Sequence, residues 1–358
     1  MVNKISQSNI RIKDIAEMAG VSTGTVDRVL HSRPNVSKSA RDKVERVLEK
    51  INYSPNPYAK LLANNATYHF MAILPMHEAE SYWARVENGL KKGVEKYTGM
   101  KIELKIFQYD PFDDSTFSDT FQKMLDDEPY AVIIAPILNK TVMTDCLHKL
   151  QGEKIPFAFI DSNWPEFNPV CFYGQNSIRS GEFSARILLM SVGNHPRRMC
   201  IFKVQGEGRI ATQQQLDREQ GFRDYVKAHC PACEVEELHL MAYDKDGMKD
   251  TMRKFFTENK DIECGITFNS TISTIGIFLH EEMPDYDIKL LGYDTVGRNI
   301  ECLKEGWVDF IIAQHAEEQG LNCFRSLVNT TLLETEHRRD HYVAIELLTK
   351  ENVDFYKD

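Results

Sequence analysis

From residue 69 onward the chain repeats one pattern, a short continuous apolar run followed by a segment of helical length. The runs are FMAILP, IELKIF, AVIIAPI, PFAFID, MCIFKV, CGITF, IKLLGY and DFIIA. Segments such as 82–97, 115–126, 177–192, 212–228 and 272–283 lie between them. Strands that are apolar throughout and alternate with helices specify a parallel sheet covered on both faces. Eight runs are too many for one compact sheet, so two α/β subdomains are expected. Ligands of such sheets sit beyond the carboxyl ends of the strands. That rule selects Asp161, Ser162 and Asn163 after PFAFI, Asn269 after GITF, Asp294 after KLLGY, Gln314 after FIIA, and Pro75, Met76 and His77 after FMAIL. Each of these alone reads equally well as a turn or cap residue. As a set drawn from separated parts of the chain, they point to a ligand cleft.

The first 66 residues follow another rule. Ile12, Ile15, Ala16 and Ala19 have the spacing of a helix with one buried face. Gly20 is placed to end that helix, and Ser22 to cap a second that runs to about Leu30, with Val26, Val29 and Leu30 inward. Two short helices joined by a glycine-containing turn make a helix-turn-helix. In that motif the start of the second helix enters the DNA major groove. Ser22, Thr23, Gly24, Thr25, Asp27 and Arg28 lie on or at the start of that helix. Ser37 is the expected cap of a third helix, whose apolar stripe is Val44, Val47, Leu48 and Ile51. A generic three-helix bundle would share this pattern.

Charge favours the DNA reading. The formal net charge is −10, from 43 Lys and Arg against 53 Asp and Glu, yet residues 1–66 carry +5 and residues 67–358 carry −15. A basic head on an acidic body directs only the head to a polyanion. No apolar run approaches the roughly 20 residues that span a bilayer. The opening MVNKISQSNIRIKD has no apolar core or cleavage site, so the expected location is cytoplasmic. Eight scattered cysteines fit reduced, buried thiols better than a disulfide framework. Cys230 and Cys233 have CxxC spacing, but no second pair completes a zinc site. No G-x-S-x-G elbow, P-loop or H-E-x-x-H is present, and QGEGR at 205–209 reads as a loop, so no enzyme, metal or cofactor is expected. The body alone would also suit a transport-type solute-binding protein.

Residues 10–66 closely resemble the DNA-binding head of the lactose/galactose repressor (LacI/GalR) family. The carriers are IKDIAEMAGVSTGTVDRVL and NVSKSARDKVERVLEKINYSPNPYAKLLA. The resemblance implies a homodimer whose paired heads bind a pseudo-palindromic operator. It also implies a hinge helix that orders on DNA, with Asn56, Tyr58 and Lys60 in or beside it and Leu62 as a minor-groove wedge. Asp27 departs from the family's usual serine. An acid there can accept from a cytosine amino group or pair with Arg28 or Arg11. Pro57 also departs from the usual hinge residue, at a helix start where its missing N–H is tolerated.

Residues 68–350 resemble, more loosely, the periplasmic sugar-binding-protein fold of the same family's effector domain. The carriers are IPFAFID, LDREQGFRDYV, FNSTISTIG, LLGYD and FIIAQ. By position, Asp161, Arg218, Asn269, Asp294 and Gln314 match residues lining the effector cleft. Tyr82, Trp83 and Trp164 are the aromatic candidates for stacking on a sugar ring. The expected architecture is an all-α helix-turn-helix head (10–54), a hinge (55–66) and an α/β effector-binding and dimerisation body (67–358). The body's N-subdomain covers about 67–172 and 315–341, and its C-subdomain about 173–314 and 342–358. The implied function is a transcriptional repressor controlled by a small molecule, a sugar or sugar derivative. The alternative is an activator answering to a non-sugar or anionic metabolite. Asn269-Ser270 and Gln314-His315 stand where the family has Asn-Asp and Gln-Asp, which points toward a less hydroxyl-rich or anionic ligand.

Overall fold

A computed structural model describes residues 10–30, 33–51, 53, 66–111, 113–193, 196–205, 212–242, 244–335 and 339–357. The expected hinge residues Asn56, Tyr58, Lys60 and Leu62, with Pro57, lie outside the described residues, as does most of QGEGR. The chain divides into two compact units, Met1–Asn65 and Ala66–Asp358.

The head contains α1 (Ile12–Ala19), α2 (Thr23–Leu30) and α3 (Lys38–Ile51). Gly20 takes φ +64, and Val21 N–H donates to Ala16 O at 3.0 Å, which closes the end of α1. Ser22 Oγ accepts from Thr25 N at 3.2 Å and starts α2, and Ser37 Oγ accepts from Ala40 N at 3.3 Å and starts α3. Ile15, Ala16, Ala19, Val26, Val29 and Val44 form the buried core.

The body has two lobes built to one plan. The first sheet contains β1 (Tyr68–Pro75), β2 (Ile102–Tyr109), β3 (Ala131–Ile134), β4 (Phe157–Ile160), β5 (Phe172–Gly174) and β11 (Asp340–Tyr342) in the order β11-β5-β4-β3-β1-β2. The second contains β6 (Arg198–Gln205), β7 (Glu234–Met241), β8 (Ile262–Ile266), β9 (Lys289–Tyr293), β10 (Phe310–Ala313) and β12 (Glu346–Leu348) in the order β12-β10-β9-β8-β6-β7. The described pairings are parallel except β10 with β12. α4 (Tyr82–Val94), α5 (Asp114–Asp126) and α6 (Lys140–Glu153) belong to the first lobe. α8 (Gln213–His229), α9 (Lys245–Glu258), α10 (Ile272–Glu282) and α11 (Gly297–Glu305) belong to the second. The central strands β3, β4 and β8–β10 are almost wholly buried.

The chain passes between the lobes three times, after β5, after β10 and between β11 and β12. Gln175 in the first crossing ties the other two together. Its amide donates to Ala313 O at 3.1 Å and Ala344 O at 3.0 Å, while Ser180 Oγ donates to its carbonyl oxygen at 2.9 Å. The helix entered at each of the first two crossings completes the lobe it reaches. α7 (Ser177–Ser191) packs on α8, and α12 (Ala316–Thr331) packs on α4. Both pairs need reciprocal glycines, because a β-carbon on Gly181 or Gly221 would fall 1.9 or 2.1 Å from a carbonyl oxygen of the facing helix. Gly89 and Gly320 repeat the device in the first lobe, at 2.0 and 2.2 Å.

Gly181→Ala should therefore force α7 and α8 apart and destabilise the body by about 1–3 kcal/mol. Gly152→Ala, where nothing lies within 4 Å, should instead stabilise it by roughly 0.5–1 kcal/mol through helix propensity. Urea denaturation of the two variants checks both signs.

Candidate effector cleft and DNA-facing helix

β4 and β9 hold the same place in their two sheets, and each ends in an aspartate with a left-handed backbone. Asp161 has φ +72 and Asp294 has φ +73. Such a conformation costs a non-glycine residue on the order of 1–3 kcal/mol, and Asp is among the types that bear it best. Here the following N–H groups remain in register: Asp161 N donates to Tyr173 O at 2.9 Å and Asp294 N to Ile312 O at 3.1 Å. The turn swings both carboxyl groups out of the sheets, toward the space beyond their strands.

Between them lies Arg218, the largest fully buried side chain, on α8. Its guanidinium sits 4.0 Å from the centre of the Tyr293 ring. One nitrogen donates to Phe268 O at 3.0 Å and another to Gln314 Oε1. Gln314 passes the interaction on by donating through Nε2 to Asp294 Oδ1, and Gln319 Nε2 holds the Gln314 backbone carbonyl at 2.6 Å. Gln214, one turn before Arg218, donates to Asp161 Oδ1 at 2.5 Å and to Gln314 Oε1 at 3.0 Å. Asp161, Arg218, Asp294 and Gln314 are thus brought into one buried network. Arg218 Nε is buried with no hydrogen-bond partner among the described residues.

Burial dominates the electrostatics. It pushes the Asp294 carboxyl up to about 6, against the pull of Arg218 and the Gln314 hydrogen bond. Burial likewise raises Asp161, again opposed by Arg218. The Tyr82 phenol is raised by burial and then by the two carboxylates, so it stays a neutral donor, 3.4 Å from Gln319 Oε1.

The other candidates stand apart from this network. Asn269 is half-buried beside it; its Nδ2 donates to Val204 O at 3.3 Å and its Oδ1 accepts from Thr271. Trp83 is half-buried with its ring edge-on to Tyr82 at 5.1 Å. Trp164 belongs to the first lobe's apolar core. His315, which replaces the family's acid, faces the crossings: its ring lies 3.1 Å from Glu346, 3.8 Å from Glu318 and 5.3 Å from Tyr356. Gln214, Arg85 and Thr295 were not singled out from the sequence. Gln214 sits four residues before Arg218 on the same helical face, which was the available signal. The cysteines are free, and burial pushes the Cys233 thiol up to about 12, far from a reactive thiolate.

On the head, Ser22, Thr23, Gly24 and Arg28 are exposed, and Thr25 and Asp27 are half-buried. Ser22 Oγ and Thr25 Oγ1 share a hydrogen bond at 2.9 Å. Asp27 forms an ion pair with Arg33 at 3.2 Å, and Arg11 faces Asp14 at 3.5 Å. Arg33 N also donates to Arg28 O on α2 at 2.8 Å.

Residues 11–56 match the lacI family of bacterial regulatory proteins, and residues 71–331 match the periplasmic binding protein domain. A solved structure of a Bacteroides fragilis protein, assigned as a LacI transcriptional regulator, shares 38% identity over 82% of this chain and all of that one, with a TM-score of 0.77. This chain belongs to the LacI family. The HTH-type regulator DegA of Bacillus subtilis is 24% identical over 79% of this chain and 81% of its own length. Catabolite control protein A of Staphylococcus xylosus is 38% identical over 23% of this chain and 25% of its own length. A Burkholderia graminis solute-binding protein solved with D-arabinose shares the body's fold at 15% identity and TM-score 0.69, covering 82% of this chain and all of that one. This LacI-family chain is therefore a DNA-binding transcriptional regulator with a periplasmic-binding-protein-type effector domain. No helix among the described residues is long and apolar enough to cross a membrane.

The raised Asp294 makes stability depend on pH. Because the folded group holds its proton more tightly than the unfolded one, its contribution is full below about 3.8 and is lost as pH rises through about 6. Asp294→Asn should thus gain relative stability between pH 4 and pH 7.5, by up to about 3 kcal/mol. Thermal denaturation of both proteins across that range measures it.

Proposed function

We propose that this regulator is a cytoplasmic, homodimeric repressor that binds operator DNA through α2 and is controlled by a small, neutral, hydroxyl-rich molecule of the carbohydrate class held between its lobes. The observation that carries this reading is the convergence of Asp161, Arg218, Asp294 and Gln314 at the carboxyl ends of strands from both sheets. Carboxylates accept from hydroxyl groups, while a guanidinium and carboxamides donate to them, so the set suits vicinal hydroxyls. Two carboxylates against one guanidinium make a poor receptor for an anion. His315 faces Glu318 and Glu346, so its replacement of an acid carries no weight for an anionic ligand. Asn269 and Trp83 complete the proposed lining.

A ligand can act on DNA only through its different affinity for the two arrangements of the lobes. A thousandfold change in operator affinity requires about 4 kcal/mol of such coupling. The hinge residues Asn56, Tyr58, Lys60 and Leu62 are the proposed link between body and operator. Ser22, Thr23, Gly24, Thr25, Asp27 and Arg28 are the proposed contacts of the head. The relatives are transcriptional regulators, which supports a binding role over a catalytic one.

Calorimetric titration with neutral monosaccharides, followed by operator binding with and without the one that binds, tests the reading. Arg218→Lys should weaken that sugar by roughly 10- to 100-fold, as loss of charge-assisted hydrogen bonds predicts, with ligand-free operator binding changed little. Equal affinity in the variant, or operator binding indifferent to every bound sugar, overturns it. In the head, Asp27→Ala should relax preference at one base pair per half-site, by about 1–3 kcal/mol of discrimination. Binding to a randomised operator library reads that out.

A further inference from the structure

One side chain bridges the two lobes at the proposed ligand position. Gln214 lies in the run Thr212-Gln213-Gln214-Gln215 that opens α8. Its two neighbours are consumed by the helix itself. Gln215 N donates to Thr212 Oγ1, Thr212 N donates to Gln215 Oε1, each at 3.3 Å, and Gln213 Nε2 donates to Asp217 at 2.7 Å. Gln214 alone of the three turns inward, is 6% exposed, and reaches from the second lobe to Asp161 on the first. Its amide nitrogen donates to Asp161 Oδ1 and to Gln314 Oε1, an arrangement a ligand hydroxyl or ammonium would otherwise take. Nearby, Arg85 of the first lobe donates to Thr295 Oγ1 of the second at 2.8 Å, so closure is not confined to one point. Arg218 Nε meanwhile is enclosed without a hydrogen-bond partner among the described residues. The closed network therefore satisfies the cleft's acceptors but leaves one of its donors unserved.

We propose that Gln214 is an internal stand-in for the effector: its carboxamide clasps the two lobes through Asp161, and an incoming ligand must expel it to reach that carboxylate. The proposal rests on the reading of this cleft as the effector site. A protein whose cleft is competent for only a fraction of the time shows a correspondingly weaker apparent affinity. Gln214 thus sets the concentration at which the regulator responds and selects for ligands able to donate to Asp161 and serve Arg218 at once.

The test uses the full chain without ligand. Hydrogen exchange is followed in peptides spanning 158–164 and 212–218, with β3 and β8 as internal references. Gln214→Met keeps the length and the apolar stem but cannot donate. It should exchange roughly 3- to 10-fold faster at the two cleft segments, the range expected for one lost hydrogen bond, with β3 and β8 unchanged. Gln214→Glu, which sets a second carboxylate against Asp161, should loosen the same segments at least as much at pH 7.5. Unchanged exchange in both variants overturns the proposal. General loss of protection in one variant leaves the decision to the other. Titration with D-arabinose, D-galactose and myo-inositol separates the two readings. A sugar that binds wild type should bind Gln214→Met roughly 3- to 10-fold tighter. Equal affinity with unchanged exchange removes the stand-in and leaves the effector site intact. Loosened segments with none of the three compounds bound by either protein mean that Gln214 only clasps the lobes. That outcome overturns its role as a carbohydrate stand-in and the carbohydrate reading with it.

Discussion

Arg218 places a full positive charge where water does not reach, and the polar interior of the body is arranged to make that tolerable. An isolated buried charge costs many kcal/mol, so it must be neutralised and hydrogen-bonded. Phe268 O, Gln314 and the Tyr293 ring take up the guanidinium directly, and Asp294 and Asp161 supply negative charge through Gln314 and Gln214. The same low-dielectric setting raises both carboxyl groups. The network is therefore held between two poorly tolerated extremes, a lone cation and two unshielded anions. Small changes in what occupies it have large effects on its balance.

That sensitivity is useful only if the backbone holds the groups in place. The positive φ of Asp161 and of Asp294, at matching places in two sheets of one topology, aims both carboxyls off the strand ends. α8 supplies Gln214 and Arg218 one turn apart, and the reciprocal glycines Gly181 and Gly221 let α7 approach its backbone closely. Strain, register and close packing remote from any ligand thus determine where the donors and acceptors stand.

Much of this was legible in the sequence. The eight apolar runs correspond to β1, β2, β3, β4, β6, β8, β9 and β10; most are strands buried on both faces, while β2 is an edge strand whose apolar residues alternate. β5, β11 and β12 escaped because three residues are too few to carry a pattern. β7 escaped because it is an edge strand with an alternating, largely polar sequence. Asp161, Asp294 and Gln314 were visible as polar residues at strand ends, and Arg218 through its family motif. Gln214 was not singled out, although its place one turn before Arg218 distinguishes it from the two neighbouring glutamines, which Thr212 and Asp217 take up. Arg33 as a partner of Asp27 was missed because it lies beyond the end of α2, outside the helical spacing that pairs residues on one face.

The three crossings also impose an order on how the protein comes into being. A ribosome has released five of the six strands of the first sheet by residue 174, yet α12, which covers part of it, spans 316–331, and β11 follows at 340–342. Until nearly the whole chain has emerged, the apolar surface around Phe70 and Val86 meant for α12 has no cover. The second lobe is less exposed to this delay, since α7 precedes its strands, although β12 still comes last. The head is finished by residue 51. A nascent chain therefore carries a complete DNA-facing unit long before the lobes that would govern it can close, and the first lobe is the stage at which newly made protein is most open to chaperones and to aggregation.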